Sequence, residues 1–358
     1  MTALLALVTE AFGGRGGIAQ YNRDLLRALA SAGTAVTTLP RMAPDAAPAP
    51  AGVRQRRPRG GRIAFSLTAL LTAALRRFDI VFCGHLFMAP LALLAARIAR
   101  ARLVVQLHGI EAWPRPSRLR RLAVERADLV LCVSRYTRRR VLNWATVAPE
   151  RVLVLPNTCG AAFAPGDRAE VRGRLGLAGR RVLLTVGRLD RRERYKGHDR
   201  VIRALPDLVA QGHDIVYLVV GDGDDADRLA EVANACGVAD RVRFLGRLRP
   251  EALRDVYRAA DLFVMPSTGE GFGIAFLEAA ASGTAAVGLD AGGAADALAE
   301  GELGVLASEK EFPDAVARCL AAPPPDRAAL AGRVRRRFGE DAFQARARLA
   351  FEQLRRGE

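Results

Sequence analysis

The sequence predicts an α/β protein of two doubly wound, Rossmann-like domains, each a parallel sheet with helices on both faces. Three observations carry this reading. The chain has 358 residues, more than one hydrophobic core usually spans (~250–300 residues) and suited to two. Short apolar runs alternate with longer helical segments, and the alternation starts twice. Half of the residues are hydrophobic and 26% are charged, which supports packed cores and excludes a disordered, collagenous or disulfide-stapled chain.

In the first half the strand candidates are 3–8, 35–39, 80–83, 103–107, 129–133 and 152–155, short runs rich in Val, Ile, Leu and Ala. Helical stretches at 18–30, 63–77 and 90–99 separate them. No basic segment precedes the run at 3–8, so it reads as a strand and not a signal peptide. The apolar stretch from Ile63 to Leu75 is broken by Ser66, Thr68 and Thr72. It falls short of the ~18 uninterrupted apolar residues of a membrane span and is expected to be a buried helix.

The second half restarts with strands at 181–185, 214–220, 242–245, 262–265 and 285–289, separated by helices at 199–210, 226–236, 251–259 and 272–281. PNTCGAAFAPGDRAEVRGRLGLAG (156–179) is the interdomain connection, with two Pro and several Gly. The predicted domains are therefore 1–165 and 166–340. AAPPPD (321–326) breaks the chain ahead of an amphipathic final segment, 341–358, expected to pack back across the domain junction. Two such domains facing each other would offer a ligand cleft at the carboxyl ends of both sheets.

The formal charge is +16, and it is unevenly held. Residues 1–165 carry 24 basic and 8 acidic side chains, whereas residues 166–358 carry 30 of each. A basic face on one half suggests an anionic partner: nucleic acid, lipid headgroups or a phosphorylated substrate. Its densest patches include Arg54, Arg56, Arg57, Arg59 and Arg62 in a Pro/Gly-containing stretch, and Arg118, Arg120 and Arg121. A coding bias that leaves these Arg merely solvated is the plain alternative. Only two lysines occur, Lys196 and Lys310, against 52 arginines, so a Lys that survives this bias is a candidate for chemistry. The five cysteines are odd in number and lack close spacing. They read as reduced core thiols in a cytoplasmic protein.

Four stretches carry chemistry. ADLFVMPSTGEGFGIAFLEAAASG (260–283) reads as strand, Gly-punctuated loop and a helix beginning near Phe272. Backbone N–H groups of Gly271, Phe272 and Gly273 at that helix start suit a phosphate or sugar oxygen. Glu270 and Glu278 would lie about 12 Å apart along the helix axis, a gap a nucleoside diphosphate bridges. Taken alone, the two acids also fit a solvated loop and an ordinary helix surface. In RVLLTVGRLDRRERYKGHDRVIRAL (181–205), Gly187 ends a strand and Arg188 and Lys196 follow, the fixed positive charge that a departing diphosphate needs. Arg191, Arg192 and Arg194 read as a solvated run.

AFGGRGGIAQYNRDLLRAL (11–29) is a Gly-rich loop entering a helix. Its Gly14-x-Gly16-x-x-Ala19 pattern hints at a dinucleotide, but the second strand ends in TAVTTLPRMAP without the required acid. Gly16 and Gly17 are better used for close backbone approach to a ligand. His108-Gly109 stands at a strand's carboxyl end and is a candidate at the reacting centre; His85 has weaker support, and His198 and His213 read as surface residues. The acids of GDGDDAD (221–227) lack the spacing of a calcium loop and read as a turn with an acidic helix start.

In this order and spacing, the stretches resemble the retaining glycosyltransferases of family 4, which have the GT-B fold. CVSRYTRR, VLPNTCGAAFAPG and FLGRL extend the resemblance over nearly the whole chain. It implies that Arg188 and Lys196 bind the donor diphosphate, Glu278 the ribose, and Glu270 with the Gly271–Gly273 backbone the donor sugar. Gly16 and Gly17 would approach the phosphates, and His108 the transferred sugar. It also implies a UDP- or GDP-sugar donor, no cofactor or metal, and a glycan or lipid-linked acceptor held by the N-terminal domain. Several members of the family sit on membranes through basic N-domain patches, so peripheral contact at the inner face of the cell membrane is expected. The chain departs from the family in having Ala285 where Pro is common, and Gly292-Gly293-Ala294-Ala295-Asp296 where Gly-Gly-x-Pro-Glu is common.

The predicted function is retaining transfer of a mannose- or glucose-type hexose from a nucleotide sugar to a lipid-linked or polysaccharide acceptor. A non-catalytic nucleic-acid-binding protein using the basic half is the alternative. Its Arg are not interleaved with aromatics, which make up only 6% of the chain. Nor does either Lys stand where a phosphorylase-like relative would need a pyridoxal-type one.

Overall fold

The computed structural model describes residues 2–45 and 47–356, with the side chains of Arg355 and Arg356 set aside. The chain divides into two compact units, Met1–Thr158 with Glu340–Glu358, and Cys159–Gly339.

The first unit runs β1 (Ala3–Val8), α1 (Gly16–Ser31), β2 (Ala35–Pro40), β3 (Val53–Gln55), α2 (Arg62–Leu75), β4 (Ile80–Cys83), α3 (Ala89–Ala99), β5 (Arg102–Leu107), α4 (Arg118–Glu125), β6 (Leu129–Cys132), α5 (Arg135–Leu142) and β7 (Val152–Val154). Its seven strands are ordered β3-β2-β1-β4-β5-β6-β7, with every pairing parallel. Strands covered on both faces need apolar residues at every position. In β1, Leu4, Leu5, Ala6, Leu7 and Val8 are all fully buried. Leu5 and Leu7 join Val81, Cys83, Val105 and Val130 in one core with Phe65, Ala69 and Ala92 of the covering helices. Each large apolar side chain so buried stabilises the fold by roughly 1.5–3 kcal/mol.

The second unit runs α6 (Arg168–Arg174), β8 (Arg181–Val186), α7 (His198–Ala210), β9 (Ile215–Val220), α8 (Ala226–Ala235), β10 (Val242–Gly246), α9 (Pro250–Ala259), β11 (Leu262–Met265), α10 (Ile274–Ala281), β12 (Ala285–Leu289), α11 (Ala294–Ala297), β13 (Val305–Ala307), α12 (Phe312–Ala321) and α13 (Arg327–Phe338). Its six strands are ordered β10-β9-β8-β11-β12-β13 and are again all parallel. In each unit β1 or β8 sits inside the sheet and the chain winds outward in both directions from it. That is the doubly wound arrangement the sequence predicts.

The final helix, α14 (Glu340–Arg356), belongs to the first unit and packs on α1. Phe343 meets the Tyr21 ring edge-on at 5.8 Å, and Arg102 donates to the Leu354 carbonyl. Residues 357 and 358 of the predicted final segment lie outside the described residues. The division at Thr158/Cys159 falls ahead of the expected boundary at 165, because the Cys159 N–H donates to the Phe338 carbonyl at 3.0 Å and ties the chain from there onward to α13.

Strands β3 and β13, three residues each, and helices α4, α5, α6, α11, α12 and α13 go beyond the elements expected from the sequence, and two expectations are corrected. The helix α10 begins at Ile274, not Phe272, so Glu270 lies in a loop and the 12 Å helical spacing to Glu278 does not apply. The helix α2 is not buried: Phe65, Ala69, Thr72 and Ala73 face the core, while Ile63 and Leu75 are 78% and 80% exposed. An almost wholly apolar helix carries no periodic signal to say which of its faces is covered.

Candidate active site

Two loops of the second unit converge. The first leaves β8 at Val186, passes Gly187 and Arg188, forms a tight turn over Arg191–Lys196 and enters α7. The second leaves β11 at Met265 and enters α10. A backbone bond from the Thr268 N–H to the Tyr195 carbonyl, 2.9 Å, clips them together. At the junction Lys196 Nζ lies 3.0 Å from Glu270 Oε1 and 3.8 Å from Glu193 Oε2. All three side chains are about one-eighth exposed, at 14%, 13% and 12% respectively. Burial opposes the Lys196 ammonium, but the Glu270 carboxylate, Tyr195 and Glu193 outweigh it and raise its pKa, so the Lys is held charged. Arg188 forms an ion pair with Glu193 and is 72% exposed on its side chain.

Two Gly pairs make this geometry sterically feasible. A Cβ on Gly221 or Gly223 would stand 1.8 Å from the Gly187 carbonyl oxygen or 2.2 Å from that of Leu189. The turn read as acidic is thus a backing plate for the Arg188 loop. Two of its acids meet arginines: Asp225 binds Arg228 at 2.5 Å and Arg194 at 2.9 Å, and Asp224 lies 3.8 Å from Arg191. Similarly, Gly292 and Gly293 lie beneath the Glu270 loop, where a Cβ would meet the Glu270 or Gly271 carbonyl oxygen at 2.6 or 2.2 Å, and the Gly293 N–H donates to Glu270 O at 2.7 Å. These contacts account for the retained Gly292-Gly293.

Gly273, with φ of 100°, caps α10 without a side-chain bond. The first-turn N–H groups of a helix are orphans that a ligand oxygen or water must satisfy. Phe272 contributes only backbone, since its ring is buried and packs on Phe338 at 5.7 Å. Glu278, largely buried one helical segment further on, accepts a 2.7 Å bond from the Tyr257 hydroxyl. Burial pushes its pKa up to about 7, against the lowering effect of that bond.

His198 was read as a surface residue and is a buried one, 5% exposed. Its Nε2 has no hydrogen-bond partner among the described residues and lies 3.7 Å from where a Cβ on Gly187 would stand, beside the Lys196 stem. Burial and the Lys196 charge push its pKa down to about 4, so the ring is neutral. Glu193, His198 and Tyr257 are the site neighbours that sequence reasoning missed. Only the first lay inside a quoted motif with a charge to notice.

In the first unit, Gly16, with φ of 79°, and Gly17 are exposed and open α1. His108 follows β5. Its Nε2 lies 3.0 Å from the Gly84 carbonyl oxygen, which fixes the proton on Nε2 and leaves Nδ1 as an acceptor. Its backbone N–H donates to Glu111 at 2.6 Å and its ring meets Tyr21 edge-on at 5.3 Å. Burial pushes its pKa down to about 4. A neutral ring with one acceptor nitrogen can orient a hydroxyl group. Among the patch arginines, Arg54, Arg57, Arg59, Arg62 and Arg118 are exposed and Arg56 is half-buried. Arg120 stacks on Phe87 at 4.5 Å, and Arg121 pairs with Glu125 at 3.2 Å.

Two parallel-sheet units of seven and six strands with this loop chemistry define a GT-B glycosyltransferase. HepE of Anabaena in complex with UDP superposes with a TM-score of 0.77 at 22% identity, over 99% of this chain and 100% of that one. Sucrose-phosphate synthase from Thermosynechococcus elongatus gives 0.79 at 22% identity over the full length of both. The glycosyltransferase family 4 model matches residues 15–159 and the glycosyl transferases group 1 model residues 167–341.

The chain belongs to the group 1 glycosyltransferases and is a hexosyltransferase. It is 35% identical, over 73% of its length and 72% of the relative's, to the GDP-mannose-dependent alpha-(1-6)-phosphatidylinositol monomannoside mannosyltransferase of Mycolicibacterium smegmatis. It is 38% identical to the D-inositol 3-phosphate glycosyltransferase of Rhodococcus jostii, over 44% of its length and 36% of the relative's.

Proposed function

We propose that the protein transfers a hexose of the mannose or glucose type from a nucleoside-diphosphate sugar to a lipid-linked or polysaccharide acceptor, with retention at the anomeric carbon. The single observation that carries the donor assignment is the partly buried Lys196, held charged at 3.0 Å from Glu270 beside the helix start at Gly273. In this reading Lys196 and Arg188 turn from their carboxylates to the donor diphosphate, the backbone at Gly187 and Gly271–Gly273 lies against the donor, and Glu278 holds the ribose. Gly16 and Gly17 supply backbone from the first unit, and His108 Nδ1 orients a hydroxyl at the reacting sugar. The named activity of the mycolicibacterial relative makes GDP-mannose and an inositol lipid the first pair to test.

The chemistry follows from the residues at hand. The acceptor oxygen bonds to the anomeric carbon as the bond from that carbon to the diphosphate oxygen breaks. The acceptor proton passes to the departing diphosphate on the same face, while Lys196 and Arg188 neutralise its growing charge. No step uses a metal, and no carboxylate in the site is assigned as a covalent nucleophile.

The basic first unit supports work at an anionic membrane face, and cysteines that read as reduced thiols support the cytoplasmic side. No helix among the described residues is long and apolar enough to cross a membrane. The alternative of a non-catalytic nucleic-acid binder gives way to the family membership. A panel of nucleotide sugars, scored for transfer and hydrolysis with Lys196→Ala as control, tests the proposal. Anomeric configuration read by NMR of the product decides retention, and a trapped glycosyl-enzyme adduct would overturn the same-face route.

A further inference from the structure

The exposed large apolar side chains are concentrated in one layer of the first unit. From β3 to β4, β4 to β5 and β5 to β6 the chain steps the same way across the sheet, so right-handed crossovers put α2, α3 and α4 on one face. The helix α3 packs against both of the others, whereas α1, which steps the opposite way, covers the other face with α14. Along α2, Ile63, Leu67, Leu71 and Leu75 recur every fourth residue and are 56–80% exposed. They lie opposite the residues that face the core. Leu94 and Ile98 continue the ridge on α3 at 47% and 42%, and Leu119 and Leu122 on α4 at 67% and 40%.

The two threonines of α2 satisfy their hydroxyl protons within the helix. The Thr68 hydroxyl donates to the Ala64 carbonyl at 2.7 Å and the Thr72 hydroxyl to the Thr68 carbonyl at 2.6 Å. The charged frame of α2 is almost wholly of one sign, the exposed Asp79 beyond its C-terminus being the exception. Residues 46–78 contain seven Arg and no acid, and residues 80–110 three Arg and no acid. Arg62 opens α2, and Arg76 and Arg77 follow its last turn, all exposed.

We propose that this face docks on an anionic lipid bilayer, with α2 lying in the interfacial plane, its leucine ridge among the acyl chains and the flanking arginines at the headgroup phosphates. The inference rests on the membrane reading above and adds to it an apolar element that inserts. An amphipathic helix with an apolar ridge and an arginine frame matches a lipid surface, in which Arg stems lie along the apolar boundary and their heads reach phosphate. A second copy of the chain does not match it. Two such faces brought together would oppose arginine to arginine without a carboxylate between residues 46 and 78 to pair them. A contiguous apolar patch on a soluble surface marks an interaction site.

Arginine contact alone and apolar insertion differ in their response to salt, since screening weakens only the former. Co-sedimentation of the full chain with phosphatidylcholine vesicles containing phosphatidylglycerol should show binding that falls with salt to a residual that persists in high salt. Leu67→Ser/Leu71→Ser should weaken the residual at least tenfold while leaving turnover of a water-soluble acceptor and the thermal midpoint unchanged. Leu71→Trp should add vesicle-dependent fluorescence that brominated lipid quenches.

Wild-type protein that fails to bind at low salt removes the membrane reading itself. Binding fully reversed by salt and equal in the double serine variant leaves that reading intact and overturns insertion. Light scattering that shows a dimer lost in Leu71→Ser overturns the bilayer in favour of a second copy.

Discussion

The two units share a fold and differ in what they do with charge. The first carries 28 Arg against 12 acids and hence the whole +16, while the second carries 26 basic and 26 acidic side chains. In the second unit the cations are engaged internally: Asp261 alone meets Arg168, Arg172 at 3.0 Å and Arg181 at 3.7 Å. With 12 acids for 28 arginines, most arginines of the first unit cannot be paired one to one. A neutral unit that fixes its cations is suited to a small anionic ligand at one point. A unit with an excess of cations is suited to a broad anionic surface, and four experiments break or sharpen that contrast.

The largest effect belongs to Lys196. Removing a charge that stabilises a departing diphosphate costs about 10²–10³ in kcat/KM, or about 2.7–4 kcal/mol. Lys196→Ala should show this loss in steady-state transfer assays, and Glu270→Gln, which frees the ammonium from its partner at 3.0 Å, should leave a measurable but reduced rate. A Lys196→Ala enzyme within a few-fold of wild type would move the donor site elsewhere.

Next is the ion cluster that typifies the second unit. Asp261 accepts the Val182 N–H at 2.7 Å as well as its three arginines. Burial works against its carboxylate, and the Val182 N–H with the arginines outweighs it, so its pKa is lowered. Its stabilising contribution is then present above the ordinary carboxylate value of 3.8 and lost as pH falls through the lower folded-state value. Asp261→Ala leaves buried Arg172 without its carboxylate and should cost about 3 kcal/mol in chemical denaturation. An unchanged midpoint would mean that the pairing is incidental.

Glu278 should show the opposite pH sign with a smaller amplitude. Its pKa is raised from the ordinary 4.5 to about 7 by burial, so the stability tied to its protonated form is complete below about 4.5 and lost as pH rises through about 7. Glu278→Gln should therefore raise the thermal midpoint at pH 8, by an amount equivalent to about 1–2 kcal/mol, and leave it unchanged at pH 4. The same variant should bind the nucleoside diphosphate more weakly if the carboxylate holds the ribose. Calorimetry of the two properties together separates a binding carboxylate from a structural one, which would lose no affinity.

How far the sequence reaches can be seen residue by residue. The strands were legible because burial on both faces demands unbroken apolar runs, and Lys196 stood out because lysine is nearly absent. Glu270 and its loop were legible as a motif, but their distance from Glu278 was not, since the helix starts after Gly273 and loop geometry is set by the Gly292-Gly293 shelf beneath it. His198 was misplaced because the burial of one imidazole depends on the path of a loop and not on local pattern. The exposed ridge of α2 was read as core for a related reason. Apolar residues on both faces of a helix give no signal of which face the fold covers.

The smallest expected effect is the one that most sharpens the contrast. Arg54, Arg57 and Arg59 are exposed, and residues 46–78 hold no acid. Surface substitutions away from networks shift stability by no more than about 0.5 kcal/mol. Arg54→Ser/Arg57→Ser/Arg59→Ser should therefore leave the denaturation midpoint unchanged, or raise it slightly by relieving self-repulsion, which net charge far from zero imposes. At low salt the same triple variant should lose affinity for anionic vesicles, since each basic residue near such a surface contributes about 1 kcal/mol, and it should keep its turnover of a water-soluble acceptor. A destabilised triple variant would show that these arginines hold the fold together just as those around Asp261 do, and the charge difference between the units would then lose its functional meaning.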